Sequence, residues 1–447
     1  MPKLSFSREV EVRHRVDVFV AGGGPSGIAA ALSAARQGRS VFLAEGSACF
    51  GGMATAGLLP LFMPFGDGLN FYAGGIGREV YDLMYERGAT YSSPGSMTPT
   101  IRAEPLKRVY DDLLSASGVS FGLMTNLVGV ETAGSRVTAA ICFGKSGLFA
   151  VEATTFVDGT GDGDLCAWAG APGDAERRYE KGDEQGRMMP GTLCSLWAQV
   201  DWRKVWATRQ GKDDETMLPQ AIADGVFTIP DLHLPGMFPV GEGLGGGNVG
   251  HLFGVDGTDE RSLTEALVWG RKSLAEYERY YKEYYEGFEQ MELVSTAALP
   301  GIRETRRILG DYVLCLDDFN SRASFEDEIG RYSYPVDIHA AAATPEEQEQ
   351  AREEFLKLRY QPGESYGLPY RSLLPRGLDN VWVAGRCLSA DRAMQSSLRV
   401  MPACFITGQA AGMAAAMAVE TGRASRAVDV GELQARLRAM GAYLPGA

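Results

Sequence analysis

The stretch VDVFVAGGGPSGIAAALSAARQGRSVFLAE, Val16 to Glu45, constrains the fold of this chain more than any other. Val16-Asp17-Val18-Phe19-Val20 is a β-branched and aromatic run that reads as a buried strand. It enters the loop Gly22 to Gly27, followed by Ile28 to Gln37, a strong helix former stopped at Gly38. Ser40 to Ala44 gives a second strand, which ends at the acid Glu45. Gly22, Gly24 and Gly27 meet the G-x-G-x-x-G spacing, and strand, loop, helix, strand and acid come in the order a dinucleotide-binding unit needs. Gly22 permits a tight turn, Gly24 lets a pyrophosphate reach the backbone, and Gly27 lets helix and strand pack closely. Free N–H groups at the helix N-terminus face phosphate. Glu45 can accept hydrogen bonds from an adenosine ribose, an acid that an ordinary glycine turn would not bring.

The next glycines separate NAD from FAD. Gly51-Gly52-Met53-Ala54-Thr55-Ala56-Gly57 follows directly on Glu45. An NAD dehydrogenase has no use for a second patch there, whereas extended FAD must pass the end of the second strand. Residues 104–115 are amphipathic, with Leu106, Val109, Tyr110, Leu113 and Leu114 on one face. Strand-like runs follow at 119–124, 127–131 and 137–143, and a buried strand then enters Asp158-Gly159-Thr160-Gly161-Asp162-Gly163-Asp164. That turn lacks the further spaced acids of an EF-hand. Near the C-terminus, Asn380 to Ala384 reads as another buried strand ending at Gly385-Arg386, and Pro402 opens a helix of small residues.

Composition excludes several classes. Of 447 residues, 45% are hydrophobic and 22% charged, so a globular core is expected. The net charge of −14 repels phosphate backbones, which argues against nucleic acid. The first fifteen residues lack an apolar signal core, and no eighteen-residue apolar run is present, so no membrane role is expected. Seven cysteines, odd in number and without a C-x-x-C pair, point to a reducing, cytoplasmic compartment. Four histidines without HxxH or HxxxH spacing argue against a dedicated zinc site, and no metal is expected.

Together, GGGPSG with Glu45, GGMATAG, DGTGDGDL, GIRETRRILGDYVL at 301–314 and GRCLSADRAMQSSLRVMPACFITGQAAG at 385–412 resemble the glutathione-reductase-type FAD-binding fold. Within it they are most similar to the FAD-dependent oxidoreductase family related to fumarate reductase flavoproteins. The resemblance implies an α/β chain with a Rossmann-like FAD/NAD(P)-binding fold (three-layer ββα) built from discontinuous segments. Residues 1–60, 101–172 and 371–447 would bind FAD, and 61–100 and 173–370 would form an inserted α+β substrate or cap domain. Gly22, Gly24, Pro25, Ser26 and Gly27 would hold the pyrophosphate and Glu45 the ribose. Gly51, Gly52, Met53 and Ala54 would lie along the cofactor. The backbone of Leu127 would meet the adenine, with Thr160, Gly161 and Asp162 nearby. Gly385 and the helix opening at Met401 and Pro402 would approach the flavin. Related flavoproteins often carry Asp after the glycine at 385; here it is Arg386, placed near the cofactor with its partner open. Without a histidine near the glycine patch, FAD would be non-covalent.

The expected activity is hydride transfer between a small organic substrate and flavin N5, with the electron donor or acceptor and the oligomeric state left open. Alternatives are a flavin reductase or monooxygenase reduced by NAD(P)H without its own nucleotide domain, and an FAD-stabilised non-catalytic or RNA-modification protein. His251, in the glycine-rich stretch after Gly241, is the candidate acid/base. GEGLGG at 241–246 repeats the dinucleotide spacing, but Pro239 interrupts the strand before it and no helix follows, so it reads as a flexible active-site loop. Cys49 lacks the partner needed for flavin disulfide chemistry. A long helix is expected from the capping box at Ser262, its tyrosines packing in the core. Pro300 to Gly310 reads as a helical segment presenting Arg303, Arg306 and Arg307 on one side, with Arg303 and Arg306 orienting substrate.

Overall fold

A computed structural model describes all residues except 1–3, 5–6, 171–177, 209–213, 234–235 and 446–447. The first six strands are β1 (Glu11–Ala21), β2 (Val41–Ala44), β3 (Ser120–Gly122), β4 (Asn126–Ala133), β5 (Arg136–Gly144) and β6 (Gly147–Asp158). Then come β7 (Tyr179–Lys181), β8 (Ser195–Ala198), β9 (Gly236–Gly241), β10 (Leu244–Asn248), β11 (Glu292–Thr296), β12 (Arg306–Ile308), β13 (Glu328–Tyr332) and β14 (Tyr366–Pro369). Last is β15 (Val381–Val383), which returns to pair with β6.

The main sheet runs β3-β2-β1-β6 in parallel. Strand β6 is long enough to serve two partners. Residues 147–152 pair antiparallel with β5, and Phe156 to Asp158 pair parallel with β15. The β4–β5 hairpin therefore peels away as a separate layer.

Side-chain alternation along β1 shows the layering. Val18 and Val20 face one core with Ile28, Ala31 and the helix Met401–Thr421, while Phe19 and Ala21 face a second core with Val137, Cys142 and Val151. Helices, parallel sheet and antiparallel hairpin make the three layers of a Rossmann-like ββα fold. The helices Pro25–Arg36 and Met401–Thr421 approach so closely that a Cβ on Gly408 would lie 2.1 Å from Ser26 O, and one on Gly412 2.1 Å from Ala30 O. Met401–Thr421 is long and apolar enough to cross a bilayer by composition, but 94% of its apolar window is buried in the core.

A third core, including Leu193, Trp197, Val249, Leu252, Leu274 and Ile302, is gathered between residues 193 and 302. Residues 61–100, by contrast, contribute Phe62, Phe65, Tyr81 and Met84 to the core under the parallel sheet. The long helix starts at Glu260 with Asp259, not Ser262, as its N-cap, and Tyr277 and Tyr281 are buried along it as expected.

Candidate active site

The glycine loops converge at the C-terminal ends of the parallel strands, where ligands of such sheets bind. Gly22 adopts φ +88°, and a Cβ there would lie 2.6 Å from Gly159 O. Gly159 N donates to Ala21 O at 2.9 Å, so the 158–164 turn is tied to the first loop. Gly51 N donates to Gly23 O at 2.8 Å, and a Cβ on Gly52 would sit 3.3 Å from Gly24 Cα. A Cβ on Gly385 would meet Ser26 Oγ at 2.6 Å. Gly24 itself has nothing within 4 Å of an added Cβ and faces open space.

This cradle fits FAD. The helix Pro25–Arg36 has Gly24 as N-cap and Met401–Thr421 has Val400, neither with a side-chain cap, so their first N–H groups remain available to a ligand. Glu45 is buried; Oε2 accepts from Gly23 N and Oε1 from Ser47 N, each at 2.6 Å. Each oxygen keeps a lone pair for a ribose hydroxyl. Thr125 N donates to Glu45 O at 2.9 Å, which brings the start of β4 and half-buried Leu127 beside that end. Ala54 is buried, and half-buried Met53 reaches onward to Gly301, where an added Cβ would lie 3.0 Å from its Cε.

Arg386 has a defined partner. Its Nη2 donates to Asp162 Oδ1 at 2.6 Å, its Nε to Gly161 O at 2.9 Å and its Nη1 to Ile302 O at 2.7 Å. Thr160 Oγ1 donates to Asp158 Oδ1 at 2.7 Å and accepts from Asp164 N at 3.0 Å, closing the turn. Arg386 thus clamps that turn to the 300–308 segment.

That segment is extended, which corrects the expected helix. Gly301 exchanges both backbone hydrogen bonds with Thr192 (2.8 and 3.0 Å), and Arg306 to Ile308 form β12 against β7. Cross-chain pairing consumes the backbone groups a helix would use, and the shared arginine face dissolves. Arg306 turns to Asp164 (2.6 Å) and lies over the Tyr179 ring. Arg307 pairs with Glu304, a fully buried acid that Arg392 also contacts at 3.0 Å. Arg303 differs: its Nη1 donates to Pro190 O and Thr192 Oγ1, each at 2.8 Å, and no described carboxylate pairs with it. It is buried, and burial together with Arg399 pulls its pKa down to about 10.

Beside Arg303 stands a wall of histidines. The expected flexible loop at 241–251 is instead the β9–β10 hairpin; Pro239 lies within β9, opposite Gly245. Just beyond the hairpin, buried His251 holds Asp231 through Nδ1 at 3.1 Å, and its Nε2 lies 2.9 Å from His339 Nδ1. His339 Nε2 faces Asp337 at 3.5 Å. The more accessible His233 stacks on His251 with centroids 4.8 Å apart. Burial pushes the His251 and His339 pKa values down, aided by the Arg303 charge, so both rings are neutral. Asp337 also pairs with Arg399 at 3.0 Å, close to the N-terminus of Met401–Thr421. Sequence reasoning found His251 and Arg303 but missed Asp231, His233, Asp337 and His339. No local spacing links positions 231, 251 and 339; only tertiary folding brings them together. A surface concavity of about 560 Å³ lined by Arg36, Arg78 and Met440 shares no residue with this wall.

Comparison with known proteins follows the same lines. No curated protein matches the sequence. Among solved structures, a geranylgeranyl bacteriochlorophyll reductase-like protein from Thermoplasma acidophilum is 13% identical, with 96% of this chain and 83% of that chain covered at a TM-score of 0.47. The p-nitrophenol 4-monooxygenase from Pseudomonas putida is 12% identical, with 96% and 88% covered at a TM-score of 0.49. A flavoprotein/dehydrogenase from Cytophaga hutchinsonii is 12% identical, with 96% and 82% covered at 0.44. The profile described as FAD dependent oxidoreductase matches residues 17–437, nearly the whole chain. With its cofactor cradle intact, the chain belongs to the FAD-dependent oxidoreductase family.

Proposed function

We propose that this flavoenzyme moves a hydride between flavin N5 and a small organic substrate bearing a carboxylate or other oxyanion. The observation that carries this reading is Arg303, a buried guanidinium with no carboxylate partner among the described residues. Arg306, Arg307, Arg386, Arg392 and Arg399 each pair with an acid. A buried charge left unpaired is costly unless an anion completes it, and a guanidinium fork suits a carboxylate. Bound FAD supplies the two-electron chemistry. Arg303 orients the substrate's anionic end, with Thr192 and Pro190 O fixing its plane. The histidine wall receives the reacting oxygen. His251 serves as one member of that wall, because its Nε2 is turned onto His339. Arg306 leaves the substrate role, since Asp164 already holds it. The substrate-receiving layer is the body between residues 189 and 308, a narrower unit than a cap of 61–100 and 173–370.

Anaerobic reduction of the bound flavin tests this. Small hydroxy acids, alcohols and sugars are compared with NADPH in stopped flow. Bleaching by acids, but not by uncharged alcohols or sugars, is expected. Rapid bleaching by NADPH alone would favour the reductase or monooxygenase reading.

A further inference from the structure

We infer that His233, His251 and His339 form a binding site for a divalent transition-metal ion with one open coordination position. The nitrogens available for ligation on the three rings all lie within 4.8 Å of one another. Four histidines occur in 447 residues, and three of them meet here from a stretch spanning positions 233 to 339.

The ring orientations carry the inference. His251 presents Nδ1 to Asp231 at 3.1 Å, and His339 presents Nε2 to Asp337 at 3.5 Å. A neutral imidazole donates to a carboxylate only through a protonated nitrogen, so the hydrogen bond to Asp231 puts the His251 proton on Nδ1. His251 Nε2 therefore carries a lone pair, which accepts from His339 Nδ1 at 2.9 Å. An ion taking the place of that shared proton would bind both nitrogens, the His339 proton passing to Nε2, which faces Asp337. A carboxylate behind each ligating imidazole is the usual device for orienting such a ring and raising its basicity. Nitrogens bound at about 2.1 Å in a tetrahedral site stand roughly 3.4 Å apart. Opening the pair by a few tenths of an ångström would admit the ion. His233, stacked at 4.8 Å from His251 and edge-on at 4.6 Å to His339, is placed to supply the third nitrogen.

The two carboxylates behind the rings are themselves held. Gln348 Nε2 and His233 N both donate to Asp231 Oδ1 at 3.1 Å, and Arg399 grips Asp337 at 3.0 Å. Three neutral imidazoles suit borderline ions such as Zn²⁺, Co²⁺, Ni²⁺ or Fe²⁺ and not Mg²⁺ or Ca²⁺. Arg399 already pairs with Asp337 and the Arg303 charge stands nearby, so a bound dication leaves net positive charge. The fourth ligand is accordingly an oxyanion, entering from the accessible side of His233, where Arg303 attracts the same group. That last point rests on the substrate class proposed above; occupation by the ion does not.

The test uses holoenzyme stripped with a chelator and titrated calorimetrically with Zn²⁺. One equivalent per chain at micromolar affinity or tighter is expected. His233→Ala, at the most accessible ring, should weaken binding at least tenfold, and His339→Ala should do likewise while the flavin spectrum stays native. His14→Ala, at the remaining histidine, should bind as the parent does. Absence of a stoichiometric site, or equal affinity in His233→Ala and the parent, would overturn the inference. Should His339→Ala lose its flavin, His233→Ala alone decides. A parent that binds Zn²⁺ but is not reduced by any acid would leave the ion site standing and remove only the proposed reaction.

Discussion

The cofactor cradle and the histidine wall lie side by side but are built on opposite plans. The cradle is made of backbone: Gly22, Gly52 and Gly159 lie against neighbouring main chain, Gly24 faces open space, and helix N-termini offer the donors. The wall is made of side chains from 231, 233, 251, 303, 337 and 339, each fixed by another side chain or a carbonyl. A pyrophosphate can be held by any chain that brings N–H groups close, so its binding reduces to a spacing of glycines. A substrate is distinguished by charge and proton donors, which any loop can contribute. The comparison teaches that substitutions in the cradle act through space, and those in the wall through charge.

The largest effect expected comes from adding volume where the cradle's two helices touch. A side chain on Gly412 would drive into Ala30 O, starting from 2.1 Å at the Cβ alone. Gly412→Val should cost about 3 kcal/mol by overpacking. Its thermal midpoint should fall and FAD should leave at lower temperature. An unchanged midpoint would mean that the helices separate freely and that close packing does not define this half.

Next in size is Glu45→Ala. The carboxylate holds Gly23 N and Ser47 N in place and would also accept from the ribose. Retention of FAD should weaken by about 2 kcal/mol, the scale of a charged hydrogen bond lost from a buried place. Fluorescence of released flavin on dilution measures it. The same experiment after acid precipitation should show free FAD in the supernatant; colour kept by the pellet would mean a covalent link. A mutant retaining FAD as the parent does would show that Glu45 only braces the loop.

The difference in plan also explains what the sequence disclosed. Val16 to Glu45 could be read almost residue by residue, because strand, turn and helix are local and the phosphate site follows from them. The parallel sheet, the Met401–Thr421 helix and the 158–164 turn were legible for the same reason. The 300–310 segment was misread because Pro and Gly bracket helices and extended segments alike, and the cross-chain pairing of Gly301 with Thr192 has no local mark. The GEGLGG stretch is no second dinucleotide loop, and the pairing of its strand β10 with β8, about fifty residues earlier, has no local mark either. The histidine cluster was invisible to motif spacing because its members lie on separate elements. Arg386 could be placed near the cofactor but not paired, since Asp162 reaches it from more than two hundred residues away.

Arg303→Lys tests the wall by its charge geometry. Lysine keeps the charge but cannot hold Thr192 and Pro190 O while presenting a fork to an anion. Substrate-driven flavin reduction should fall at least tenfold, about 1.4 kcal/mol of transition-state stabilisation, with FAD content unchanged. Reduction at the parent rate would make Arg303 a structural bond and would return substrate binding to another surface.

Arg306 supplies the smallest effect and the sharpest contrast with its neighbour. Burial pushes the Asp164 carboxyl up to about 6, with the charges of Asp162 and Asp158 adding to it and Arg306 working against it. The folded value exceeds the ordinary 3.8, so ionising Asp164 costs stability, and that cost appears as pH rises from about 4 through 6. Arg306 offsets it only when Asp164 is charged. Arg306→Gln should therefore match the parent's thermal midpoint near pH 4 and fall below it at pH 8. The gap should stay under about 1 kcal/mol, because the Asp164 side chain is 32% exposed and solvent screens the pair. Flavin reduction by substrate should change less than it does in Arg303→Lys. A gap independent of pH would mean that Arg306 stabilises through its bond to Asp162 O and its stacking on Tyr179. A loss of reduction as large as that of Arg303→Lys would instead place Arg306 in the wall, and the division between a cradle of backbone and a wall of charge would have to be redrawn at the 158–164 turn.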